Sequence, residues 1–168
     1  MLVQVITGTT REGRFSERVA AWVVGRLEQH EAFDVELVDL RDHPLPFFDA
    51  DPPARTGRDY ADEAVTRFSR VIDRADGYVL LTAEYNHGYP AVLKNALDYA
   101  YAEFNRKPAT FVAYGNAGGA RGVEQLRLAL AELQVASLKY AVHIGYAEFV
   151  GRRGSRSGAP DRSDELGR

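Results

Sequence analysis

The sequence contains no cysteine and only one methionine and one tryptophan among 168 residues. Without cysteine there can be no disulfide, no thiolate metal site and no cysteine nucleophile. Neither sign of charge is in large excess: the formal net charge is −3, with no sign of the basic patch that nucleic acid or a membrane surface selects. No long apolar run occurs. Leu2 to Thr7, stopped by Gly8, is too short for the core of a secretion signal and far too short for a membrane span. A cytoplasmic protein is therefore expected, with neither nucleic acid nor membrane as a partner. Four histidines, His30, His43, His87 and His143, are scattered without ligand spacing, so no metal site is expected. A Gly-x-Ser-x-Gly nucleophile elbow is also missing.

What is present suits one globular domain over residues 1–150, with 45% apolar and 27% charged residues. Leu2–Thr7 reads as a buried parallel strand, followed by a helix with Val19, Ala20, Val23, Val24 and Leu27 on one face. Phe33–Leu40 alternates as a second strand, and the prolines at 44, 46, 52 and 53 make residues 41–57 an irregular loop. Thr56 and Asp59 suit the start of a helix running to about Ala75. Tyr78–Thr82, Ala109–Tyr114 and Ser137–Ile144 read as three more strands, separated by helices over about 90–104 and 122–133. Residues 151–168 hold five arginines and one large apolar residue, Leu166, and a disordered tail is expected there. Strands alternating with helices imply an α/β fold with a doubly wound five-stranded parallel sheet. Ligands bind such sheets beyond the carboxyl ends of the strands, where the strand order reverses.

Three unusual loops fall at such ends. The first, Gly8-Thr9-Thr10-Arg11-Glu12-Gly13-Arg14-Phe15-Ser16, joins a strand to a helix N-terminus, where backbone N–H groups and the dipole favour an anion. Its hydroxyls and arginines suit phosphate oxygens. It matches neither the P-loop nor the dinucleotide fingerprint. A second reading makes Ser16 a helix cap and the arginines solvated. The second loop, Ala83-Glu84-Tyr85-Asn86-His87-Gly88-Tyr89, offers flat phenol rings, an amide and a glycine, and suits one side of a planar heteroaromatic ring. Here too a structural reading stands beside it, with Asn86 capping the turn and His87 a bystander. The third, Tyr114-Gly115-Asn116-Ala117-Gly118-Gly119-Ala120-Arg121, exposes backbone N–H groups around three glycines. On the helix after the second loop, Tyr99 lies off the apolar stripe and suits a subunit contact.

At these loops the sequence resembles the NADPH-dependent FMN reductases, flavodoxin-like flavoproteins that include quinone, azo-compound and chromate reductases. Gly8-Thr9-Thr10-Arg11 matches the family's Gly-Ser-x-Arg loop, with Arg14 as its second arginine. Glu84-Tyr85-Asn86, Pro90 and Leu93-Lys94-Asn95-Ala96 match its second motif, with Ala83 where proline is usual. Gly115, Gly118, Gly119 and Leu126-Arg127 match the third. The resemblance implies a flavodoxin-like three-layer α/β/α fold binding FMN, with NADPH or NADH as co-substrate. It places the phosphate on Thr9, Arg11, Arg14 and Ser16. The ring would rest against Glu84 to Gly88 and the Gly115–Gly119 turn. Gly8, Phe15, Ala83, Tyr114 and Asn116 complete the implied site. It also implies ping-pong hydride transfer to a quinone-like or other small-molecule electron acceptor, no obligatory catalytic side chain, and a homodimer or homotetramer.

Overall fold

A computed structural model of the chain describes residues 1–53, 57–145, 147 and 148. Five strands form one parallel sheet: β1 (Leu2–Thr7), β2 (Asp34–Asp39), β3 (Gly77–Ala83), β4 (Pro108–Tyr114) and β5 (Ala136–Ile144). Four helices connect them among the described residues: α1 (Ser16–Leu27), α2 (Glu63–Asp73), α3 (Ala91–Asp98) and α4 (Ala120–Glu132). The order across the sheet is β2-β1-β3-β4-β5. This is the flavodoxin-like, three-layer arrangement, and among the described residues no helix is long and apolar enough to cross a membrane.

Burial explains why these segments became strands. All seven residues of β3 are buried, so only a continuous apolar run satisfies both faces of this central strand. One face packs under α2, α3 and α4 through Phe68, Ile72, Leu93, Leu97, Leu126 and Leu130. The other packs under α1 through Val19, Ala20, Val23 and Phe15. The strand order reverses between β1 and β3, so the chain leaves their carboxyl ends toward opposite faces and opens a crevice there.

The boundaries differ from expectation in two informative places. Helix α2 starts at Glu63, where Asp62 caps it by accepting N–H bonds from Ala64 and Val65. Asp59 lies outside that helix, and Thr56 falls outside the described residues, as does the expected tail over 151–168. Helix α3 ends at Asp98 instead of continuing to Phe104. Beyond it, Glu103 is fully buried and its Oε2 accepts the Tyr101 N–H at 3.1 Å, a local bond that competes with further helix. Phe104 still reaches the core, 2% exposed, without being helical. Tyr99 is a correction as well: it is 3% exposed, its hydroxyl donates to Phe47 O at 3.2 Å, and its ring stands edge-on to Phe48 at 5.1 Å. The chain's own proline-rich loop covers it, so it faces no subunit. Asn95 fastens the same loop, donating to Pro46 O at 2.7 Å and accepting the Phe48 N–H at 2.9 Å.

Candidate functional site

A cavity of about 580 Å³ lies at the crevice between the three loops. Arg11, Arg14 and Phe15 line it from the first, Ala83 to His87 from the second, and Tyr114, Gly115, Asn116 and Arg121 from the third. Six expected contacts, Gly8, Thr9, Ser16, Gly88, Gly118 and Gly119, are not part of that wall. Two of these glycines have steric duties: a Cβ on Gly8 would stand 2.8 Å from both Leu81 O and Leu93 Cδ2, so β1 can end only this close to β3 and α3 as glycine. Gly119 opens α4 at φ 72°, where a Cβ would stand 2.7 Å from Ala113 Cβ.

The first loop divides its side chains between support and display. Thr9 and Ser16 are buried and their hydroxyls share a 2.7 Å hydrogen bond, beneath the wall they were expected to form. The phenol of Tyr114 bonds to both, and burial pushes its pKa up, so it stays a neutral partner. Arg14 is also buried. It donates from Nη1 to Asp39 Oδ1 at 2.9 Å, from Nη2 to Asp39 Oδ2, and from Nη1 to Thr9 O. Burial alone would lower its pKa, but the hydrogen bond and charge of Asp39, with Glu17, outweigh this and hold it raised. The same pair works on Asp39: burial raises its pKa, yet Arg14 and the Arg41 N–H outweigh it and leave it lowered. Arg11 is different. It is exposed on the cavity rim, and its guanidinium makes no ion pair among the described residues. Beside it, α1 begins without a side-chain cap, leaving the Ser16 and Glu17 N–H groups unbonded among those residues. Phe15 and Tyr114, edge to face at 5.3 Å, form the floor.

The second loop is a tight two-residue turn. Tyr85 N donates to Gly88 O at 2.8 Å and Gly88 N to Tyr85 O at 3.0 Å, enclosing Asn86 and His87. Both enclosed residues have positive φ, 49° and 70°, as a type I′ turn demands. Left-handed backbone costs an L residue about 1 kcal/mol, and Asn and His are among those that tolerate it best. The N–H groups of Asn86 and His87 have no partner among the described residues, although they sit at the cavity. Tyr85 stays 42% exposed, a free apolar surface at the mouth.

Two residues that hold the site together were missed by sequence reasoning. Asp39 ends β2 in register with Thr7 of β1, a neighbour that no local pattern reveals. Arg121 pairs with Glu84, Nε to Oε1 at 2.8 Å, and donates from Nη1 to His87 Nε2. A signal for Arg121 did exist: it is a cation in the first turn of a helix with no acid there, where the dipole disfavours it.

The arrangement fits a planar cofactor carrying a phosphate. One end offers an unpaired cation and an open helix N-terminus, the other two free N–H groups, a flat phenol and a glycine turn. No group of three or more potential metal ligands occurs among the described residues.

Comparison with known proteins points the same way. The family model described as NADPH-dependent FMN reductase matches residues 1–148. The NAD(P)H-dependent FMN reductase of Schizosaccharomyces pombe is 41% identical over 126 residues, covering 74% of this chain and 63% of that protein. The one from Saccharomyces cerevisiae is 36% identical over 145 residues, covering 80% and 76%. This chain therefore spans a little under two thirds of the first relative's length. Among solved structures, the flavoenzyme NAD(P)H:(acceptor) oxidoreductase of Paracoccus denitrificans shares the fold, with a TM-score of 0.68 at 24% identity, over 88% of this chain and 79% of that one.

Proposed function

The chain belongs to the NADPH-dependent FMN reductase family, which uses FMN with NAD(P)H as electron donor, and from that membership we propose that it binds FMN in this cavity and reduces a small acceptor with NAD(P)H. When bound, FMN would supply the redox chemistry, hydride acceptance from the nicotinamide and reduction of a quinone-like acceptor in alternating half-reactions. The protein's share is placement and charge.

Arg11 and the uncapped start of α1 hold the phosphate, through one guanidinium and the Ser16 and Glu17 N–H groups. Thr9, Arg14 and Ser16 act from beneath by fixing the loop's shape. At the other end, the Asn86 and His87 N–H groups meet the polar edge of the ring, opposite the turn from Gly115 to Gly119. Tyr85 flanks the open mouth, where nicotinamide and acceptor enter in turn. No side chain is required as acid or base. The acting unit is proposed to be a homodimer or homotetramer in the cytoplasm.

The observation that carries this reading is the pairing, across one cavity, of a cation at a helix N-terminus with two N–H groups, all without partners among the described residues. Its test is direct. The purified protein is expected to be yellow and, without oxygen, to lose its visible flavin band on titration with NADPH or NADH. A band that neither nucleotide bleaches would leave an FMN-binding electron carrier and overturn the reductase. Arg11→Gln is expected to weaken FMN binding about tenfold, the loss of one charge-assisted contact worth about 1.4 kcal/mol, read by flavin fluorescence quenching. Affinity within twofold of the parent would remove Arg11 from the phosphate site.

A further inference from the structure

Helix α4 begins with two electrostatic deficits. Gly119 opens it without a side chain to cap it, and the first turn carries a cation, Arg121, and no acid. Glu84, immediately after β3 and thirty-seven residues before Arg121, corrects both. Its carboxylate, with the side chain 7% exposed, accepts the Arg121 N–H on Oε2 at 3.2 Å and pairs through Oε1 with Arg121 Nε at 2.8 Å.

Helix and turn are fastened at further points. Arg121 Nη1 contacts His87 Nε2, and a guanidinium can only donate, so Nε2 is the acceptor in this contact. One turn along the helix, Gln125 Nε2 donates to His87 O at 2.8 Å. Between them Gly122 allows backbone to meet backbone: a Cβ there would lie 3.4 Å from Gly88 O and 3.5 Å from Ala83 O. Together these contacts grip the segment from 83 to 88, where Asn86 and His87 are held in left-handed conformation. Such backbone persists only where its surroundings over-determine it.

We propose that Glu84 and Arg121 are a positioning pair: Glu84 is the remote N-cap of α4, and through Arg121 the helix holds the Asn86–His87 turn in the shape that presents its two free N–H groups to the cavity. What those N–H groups bind rests on the FMN reading above, whereas the holding itself operates without any ligand. Glu84 and His87 are accordingly neither base nor acid. Glu84 is occupied by Arg121, and His87 Nε2 is occupied as an acceptor. Because the same cation closes both side-chain contacts, an uncharged residue at 121 releases Glu84 Oε1 and the imidazole together, while Oε2 keeps the backbone N–H of residue 121.

Hydrogen exchange on the ligand-free protein tests the holding directly. In Arg121→Gln the hydrogen-bonded amides of segment 84–88, those of Glu84, Tyr85 and Gly88, are expected to exchange at least tenfold faster than in the parent, while those of β1 and β3 do not change. Unaltered exchange in that segment would overturn the proposal. FMN titration of the apoprotein tests the presentation: Arg121→Gln is expected to raise the Kd about tenfold. Arg121→Lys, which keeps a cation facing Glu84, is expected to recover part of that loss. Faster exchange with a Kd within twofold of the parent, or a lysine variant no better than glutamine, would reduce the pair to ordinary packing and sink its positioning role. If the parent itself binds no FMN, the cofactor reading fails, and the exchange result still decides whether the pair holds the turn.

Discussion

Asp39→Ala is expected to destabilise the fold by about 4 kcal/mol, and Arg14→Met by about 2–3 kcal/mol, measured from urea midpoints at neutral pH. The two substitutions break the same ion pair and differ in the charge they leave behind. Removing Asp39 strands a guanidinium whose side chain is 2% exposed, leaving it among the described residues the Thr9 carbonyl and one carboxylate, Glu17 at 3.4 Å. Removing Arg14 leaves a carboxylate that is 20% exposed and still accepts the Arg41 N–H at 2.9 Å. Methionine also keeps most of the buried stem, so little packing is lost with the charge. Equal costs would mean that the interior around Arg14 is more hydrated than its burial indicates. The same pair sets an acid limb on stability. Asp39's folded pKa is lowered, first against burial and chiefly by Arg14, so its contribution is complete above the unfolded value of about 3.9. That contribution is lost as the pH falls through the lower folded value. Asp39→Asn should therefore flatten the loss of stability between pH 5 and pH 3, pH values chosen to span roughly that window.

Glu103→Ala is expected to cost about 3 kcal/mol although it removes no apolar core side chain. Glu103 is fully buried and takes three donors: the hydroxyls of Ser69 and Tyr60 on Oε1 and the Tyr101 N–H on Oε2. Alanine leaves all three without an acceptor, and each stranded donor carries its desolvation cost. Burial and the neighbouring carboxylate push Tyr60's phenol up, so it remains a donor throughout the physiological range. Glu103→Gln keeps the acceptor oxygen and should cost about 1–2 kcal/mol. Once alanine is in place, adding Ser69→Ala and Tyr60→Phe should recover part of the loss, because the stranded donors go with them. A strictly additive triple variant would show that the three groups do not act as one network.

Much of the architecture was open to reading along the chain. The runs Leu2–Thr7 and Tyr78–Thr82 could only be buried strands, and the spacing of Val19, Ala20 and Val23 could only be one helical face. The cavity was legible as three odd loops at strand ends, because strand polarity alone brings those ends to one edge of a parallel sheet. Roles within the loops were harder to read. Arg11 and Arg14 look alike three residues apart, yet one displays its charge and the other buries it against Asp39, twenty-five residues away. The end of α3 was hidden for a similar reason. Apolar spacing continues to Phe104, while the bond that competes with helix comes from Glu103, whose burial depends on Ser69 and Tyr60.

The sequence by itself determined the strand–helix alternation, the edge of the sheet at which the three loops enclose a cavity, and the residue types offered there. Those follow from local periodicity, turn chemistry and chain polarity, all of which act over a few residues. Only the tertiary structure decided which charge is free and which is spoken for: Arg14 with Asp39, Glu84 with Arg121, Arg11 with neither. Ion pairing and burial are set by neighbours brought together through sheet register and helix packing. A side chain's availability is thus fixed by contacts between residues far apart in the chain.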